Sequence, residues 1–163
     1  MKKTICRILT GGLLLAWMIL IFCFSAQPAK ESGEVSGTLA YRMITIADEI
    51  TGNRLSGHQK EMYADLLNPP LRKAAHMTEY AVLAALLFLF LACMDVTKQR
   101  CCLFCILLSF LYAASDEFHQ LFVPGRSGSV KDVLIDSTGA VIAAALIFGI
   151  SEIGRRRRQS GKQ

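Results

Sequence analysis

Charge is what this chain has least of. Asp, Glu, Lys and Arg together make up 19% of its 163 residues, against 53% hydrophobic ones, and mean hydropathy is +0.40. A disordered chain needs the reverse balance, and an ordinary soluble domain carries more charge, about a quarter of its residues. Cysteine is missing from the long polar stretch 27–73, so no extracellular disulfide framework is implied. No Walker, GxSxG or HExxH pattern occurs, which removes the basis for nucleotide hydrolysis, a serine-hydrolase elbow or zincin proteolysis.

What is present is apolar and arranged in four blocks, about 8–26, 74–94, 101–118 and 133–153. A hydrocarbon core of about 30 Å takes a helix of about 20 residues, so each block is one span. The expected fold is all-α: a polytopic membrane protein with four transmembrane helices, one domain over 1–163. Ten of the eighteen basic residues sit at 2–7, 98–100 and 155–162. The positive-inside rule then puts both termini in the cytoplasm, with the chain in the plasma membrane and the segments 27–73 and 119–132 facing outward. The basic tail 154–163 reads as a stop-transfer flank and anionic-lipid anchor, not a nucleic-acid patch. Ile8–Ala26 is too long for a signal-peptide core and lacks a small-residue cleavage pair, so it reads as an uncleaved anchor. The six cysteines lie in or beside the apolar blocks and read as small packing residues.

The outer segment 27–73 has helical periodicity. Leu39, Met43, Ile46 and Ile50 mark one amphipathic face, and Thr51-Gly52-Asn53 stops it. A second short helix, about Ser56–Leu67, is expected to break at Pro69-Pro70. Both are expected to lie on the bilayer surface or to cap the bundle.

The polar residues of the spans are not scattered. Ionisable groups in a membrane are expensive and mark function by default. At about 100° per residue, Arg72, His76 and Glu79 share one face at the start of span two, with Lys73 beside them. Asp116, His119 and Gln120 share a face at the end of span three, next to Glu117. Asp132 and Asp136 stand four apart at the start of span four. Alternating topology brings all three patches to one depth near the outer boundary, and the turn 123–129 returns Arg126 over the same place. Asp116 and Glu117 oppose the helix macrodipole, so they need a cation or a proton nearby. Plainer readings stand beside these: Arg72 and Lys73 as interfacial anchors, Asp132 as an N-cap, Gly139 and Ala143 as a helix-packing face.

Several motifs resemble the bacterial VanZ-like family. They are Phe24-Ser25-Ala26-Gln27, the run Arg72–Tyr80, and Asp116–Arg126 leading to Asp132–Ala140. The resemblance covers about residues 15–150. Two positions depart from the commoner pattern: Asp136 stands where many members carry Asn, and Ala143 where many carry Gly. The family's namesake is associated with low-level teicoplanin resistance, and members have been suggested to act on lipid head groups or lipid-linked envelope precursors.

The function these features favour is binding or modification of the polar head of an envelope lipid at the outer leaflet, with an effect on glycopeptide susceptibility as the outcome the resemblance adds. Arg72, Lys73 and Arg126 would grip a phosphate, with Gln120 and Asp132 completing the binding set. His76 or His119 would be base or nucleophile, and Glu79, Asp116, Glu117 and Asp136 would orient the imidazoles or move protons. No cofactor or metal is expected, although His76, Glu79, Asp116 and His119 are of ligand type. The expected partners are membrane lipids, with a lipid-linked precursor or a glycopeptide, and no nucleic acid; an oligomer is left open. Two other classes remain: a non-enzymatic accessory protein packed against an envelope-synthesis partner, and a small proton-coupled transporter.

Overall fold

The computed structural model describes residues 1–160, with side chains through Gly154, so residues 161–163 and the side chains of the expected basic tail beyond Gly154 lie outside the described residues. The chain forms five helices there: α1 (Lys2–Ser25), α2 (Ala29–Thr51), α3 (Gly57–Cys93), α4 (Lys98–Gln120) and α5 (Val130–Ser160). Four of them, all but α2, are long and apolar enough to cross a membrane. Helix is dictated by the solvent, because in lipid every backbone N–H and C=O must be satisfied within the segment. Leu13, Ile19, Phe104, Leu107, Ile142 and Leu146 point outward and exposed, as lipid-facing residues do.

The helices run beyond the apolar blocks. α1 begins at Lys2, not near residue 8, and α4 at Lys98, not near 101. The added turns carry charge that a hydrocarbon boundary excludes but a helix tolerates. Lys3 and Arg7 there reach Asp95, at 2.8 and 3.4 Å, and the Lys3 ammonium holds the Asp95 carboxyl below the usual carboxylate range. These pairs close the α3–α4 turn onto the start of α1. Beside them the structure pairs Cys6 with Cys93, Cα atoms 6.3 Å apart, so these two are joined to each other instead of merely packing. Cys101 and Cys105 are buried packing residues as expected.

α3 is the hub, touching each of the other four helices. Its crossing with α5 depends on small side chains. α5 buries Val133, Asp136, Ser137, Ala140 and Ala144, the spacing of one helical face, and Gly139 lies so close to α3 that a Cβ there would collide with the Met77 carbonyl, 2.8 Å from its carbon. Ala143, expected to share that face, is only half-buried. Two polar tips fasten α1: the Trp17 indole donates to the Glu79 carbonyl at 2.9 Å, and the Tyr112 hydroxyl to the Met18 carbonyl at 2.7 Å.

The outer segment corrects one expectation. No break occurs at Pro69-Pro70; α3 continues through both. Both prolines are exposed, so water can serve the carbonyls they leave free. Asn68 just before them is held by α2, its amide donating to the Gly33 carbonyl at 3.3 Å while its oxygen accepts from Ser36 at 2.6 Å. At 1.5 Å per residue α3 is about 55 Å long, about 25 Å more than a hydrocarbon core needs. α2 packs antiparallel along that excess, leaving Leu39, Met43, Ile46 and Ile50 exposed.

At the tip of this arm, Asp48 is buried and accepts from the Arg54 and Leu55 amides at 2.8 and 3.0 Å. It also pairs with Lys60 at 2.8 Å. The hydrogen bond from Lys60 holds its carboxyl below the usual range, against the opposing effect of burial. A carboxylate lowered on folding contributes stability above the usual range and loses it as pH falls through the folded value. Protection of the Arg54 and Leu55 amides against hydrogen exchange, taken relative to the intrinsic rate at each pH, should therefore be high at neutral pH and fall in acid, while Asp48→Ala should lack it throughout. Equal protection in both proteins would show that Asp48 does not hold the turn.

Candidate functional site

The spans alternate in direction, so the end of α1, the start of the apolar part of α3, the end of α4 and the start of α5 share one end of the bundle. A cavity of about 140 Å³ opens there between α3, α4, α5 and the 121–129 loop. Helical spacing supplies its walls. Arg72 and His76 are one turn apart on α3, Glu117 and Gln120 lie at the end of α4, and Asp132 and Asp136 one turn apart on α5; all line it, with Lys73 and Arg126. Eight of the eleven residues singled out from sequence are brought together.

The other three divide. Glu79 is attached through His76, whose Nδ1 lies 3.2 Å from its carboxylate. Asp116, also buried, accepts from the Gln120 amide at 3.1 Å. His119 does not line the cavity; its ring lies against Phe22 of α1, centroids 4.6 Å apart, and its Nδ1 is buried without a hydrogen bond among the described residues. The angles explain this. Relative to Asp116, Gln120 sits at about +40° and Glu117 at about +100°, while His119 falls at about −60°. The cavity takes the first two, and His119 turns toward α1.

The carboxylates are held differently. Asp132 accepts from Lys73 at 3.0 Å, and Ser129 instead bonds the free amide of Lys131 at 3.2 Å, so Asp132 is not the N-cap of α5. Glu117 accepts from the Ser129 amide at 2.8 Å and so anchors the start of α5 to the end of α4. Gly128 fits this closure, because a Cβ there would lie 2.5 Å from the Glu117 carbonyl oxygen. Asp136, 3% exposed, is the carboxylate that most lacks a partner within the protein: no ion pair or hydrogen bond joins it among the described residues.

Arg126 reaches across the loop. Its Nε donates to the Gln27 carbonyl at 2.9 Å and its Nη2 to Phe24 at 3.2 Å. The Ala29 amide, donating to the Pro124 carbonyl at 3.2 Å, makes a second tie. Gly125 makes the turn possible at φ +73, a conformation that penalises a side chain. The ion pairs among the described residues include neither Arg72 nor Arg126. Two guanidinium charges thus border the cavity without a carboxylate at ion-pair distance.

A model of the VanZ/LLP1 family matches residues 11–151, most of the chain and all of this site. The chain belongs to the VanZ/LLP1 family. No curated protein and no solved structure matches it. The VanZ/LLP1 match takes in the arm, the α3 and α4 spans and most of the α1 and α5 spans.

Sequence reasoning passed over Tyr80. It is fully buried, its hydroxyl has no hydrogen bond among the described residues, and its ring lies 6.3 Å from Tyr112. A buried phenol usually finds a partner. A single polar atom at the start of a long apolar run was the available signal. The matching signals for Trp17 and Tyr112 were equally slight, because their acceptors are distant main-chain carbonyls.

Proposed function

We propose that this VanZ/LLP1 protein binds the polar head group of an envelope lipid or lipid-linked precursor at the outer leaflet of the plasma membrane, and that His76 moves a proton at the bound group. The observation that carries this is the pairing of uncompensated Arg72 and Arg126 with His76 in one cavity at span-end depth. Guanidinium groups grip phosphate oxygens with paired hydrogen bonds. The 3.2 Å contact with Glu79 fixes the His76 ring, and Asp136 faces the same space as a proton acceptor. The test is lipid analysis of membranes with the chain present, absent, or carrying Arg72→Gln or His76→Gln, with glycopeptide susceptibility measured in parallel. Unchanged lipids in all four would overturn a head-group reaction.

A second reading, an accessory protein, draws support from the exposed apolar row on α2, where Val35 and Ile50 are also open. It predicts no lipid change and a loss of phenotype when that row is made polar.

Orientation is part of the proposal. The start of α1 and the end of α5 lie at the end of the bundle opposite the cavity, and the basic residues at 2–7 and 98–100 cluster with them, which supports a cytoplasmic position for that end. A reporter active only outside the cell should be silent after Gln163 and active in the tip turn at Gly52. The reverse pattern would place the cavity in the inner leaflet and remove the envelope reading.

A further inference from the structure

A second cavity, of about 540 Å³, lies on the flank of the bundle where α1 ends, α2 begins and α3 enters its span. That is the size of ordinary ligand pockets, about 300–1,000 Å³. Its walls are mostly apolar or small: Phe24 from α1, Val35 and Leu39 from α2, Ala74, Ala75 and Thr78 from α3. Its polar end is made by Arg72, His76 and Arg126, with Glu79 behind His76; the first three line the smaller cavity as well, so the two meet at those side chains. The 121–129 loop, tied to the end of α1 by the Arg126 bond to Phe24 and to α2 by Ala29, bounds the smaller cavity at the end of the bundle. Access through the flank groove avoids that loop.

The two spaces have the chemistry of one amphiphile. The groove lies where the apolar part of α3 begins, the part of a span that hydrocarbon surrounds. The two guanidinium groups at its mouth, Arg72 and Arg126, are met by no carboxylate at ion-pair distance among the described residues, Glu79 being engaged with His76, and a phosphate is the complementary group. We propose that the flank groove holds an acyl chain of a phosphate-bearing lipid from the surrounding leaflet, with the phosphate between Arg72 and Arg126 and the rest of the head group in the inner cavity. This rests on the head-group reading and adds to it the seat of the chain and a sideways route of entry. A polar precursor without a chain leaves the groove empty, and a neutral lipid leaves the arginines unmet. The occupant is therefore a lipid with both.

The test is native mass spectrometry of the full chain in detergent, titrated separately with phosphatidylglycerol, diacylglycerol of the same chains, and glycerol phosphate. Phosphatidylglycerol should be retained one per chain and the other two at least about tenfold more weakly. Thr78→Trp and Val35→Trp fill the groove from opposite walls. Each should weaken phosphatidylglycerol at least about tenfold, since every methylene kept out forfeits about fourfold. Val35 is 70% exposed, so its replacement decides the matter if Thr78→Trp does not fold. Wild-type retention by Val35→Trp, with loss in Arg72→Gln, would overturn the groove and leave the head-group site standing. Equal retention of diacylglycerol would overturn the phosphate contact and the head-group reading together. Glycerol phosphate binding as tightly as the lipid would overturn the role of the chain alone.

Discussion

Gly139→Ala is expected to keep the bundle from closing. Overpacking a well-packed interior costs about 1–3 kcal/mol, occasionally more, and here the obstacle is the Met77 peptide on α3, not a side chain that can rotate away. The cost should fall at or above the top of that range. Its measure is the melting temperature and monodisperse yield of purified protein beside Gly149→Ala, where an added Cβ meets nothing within 4 Å. The effect should also reach the cavity. Met77 follows His76, and Asp136 lies one turn before Gly139, so separating α3 from α5 separates the walls that carry them. A Gly139→Ala protein as stable as Gly149→Ala would mean that α3 and α5 do not cross at this point.

The largest functional loss should come from His76→Gln. Glutamine keeps size and hydrogen bonding but cannot take up a proton at neutral pH, so insertion and folding should stay near wild type. A positioned acid or base contributes about 10²–10⁴ in rate, and any lipid change made by the wild-type protein should fall to the level of membranes lacking it. His119→Phe is the comparison. It preserves the ring against Phe22 and removes only a nitrogen that bonds nothing among the described residues. That variant should keep the phenotype. A silent His119→Phe beside a fully active His76→Gln would reverse the two roles and move the chemistry to the α1 side of α4.

Much of this architecture could be read from residues alone, and the reasons differ by part. Four spans were legible because hydrocarbon tolerates neither open backbone nor scattered charge. Their ends were not, because the helices continue into the head-group zone, where composition no longer marks them: α4 starts at Lys98, ahead of its apolar block. The break expected at Pro69-Pro70 failed because tertiary contacts at Asn68 outweigh a local penalty. At the cavity, the α3 and α5 faces followed from periodicity. Which side of α4 turned inward did not, since 60° separates Asp116 from His119 and only the neighbouring helices choose between them. The targets of Arg126 lie about a hundred positions back along the chain and are main-chain carbonyls, which no side-chain pattern can announce.

Because the cavity draws its walls from α3, α4 and α5, it comes into being only when the last span has been made. A ribosome that has delivered α3 and α4 has already committed His76, Glu79, Asp116 and Glu117 to the membrane, with the α5 wall not yet opposite them. Each charge left toward lipid at a helix centre costs about 2.5–3.5 kcal/mol on insertion scales, so the half-made chain does best with that end held near the aqueous boundary. The arrival of α5, with Gly139 sliding against Met77, is then both the final insertion step and the one that shelters these groups. A chain halted before residue 136 leaves Asp116 and Glu117 without the α5 wall that buries them in the finished chain.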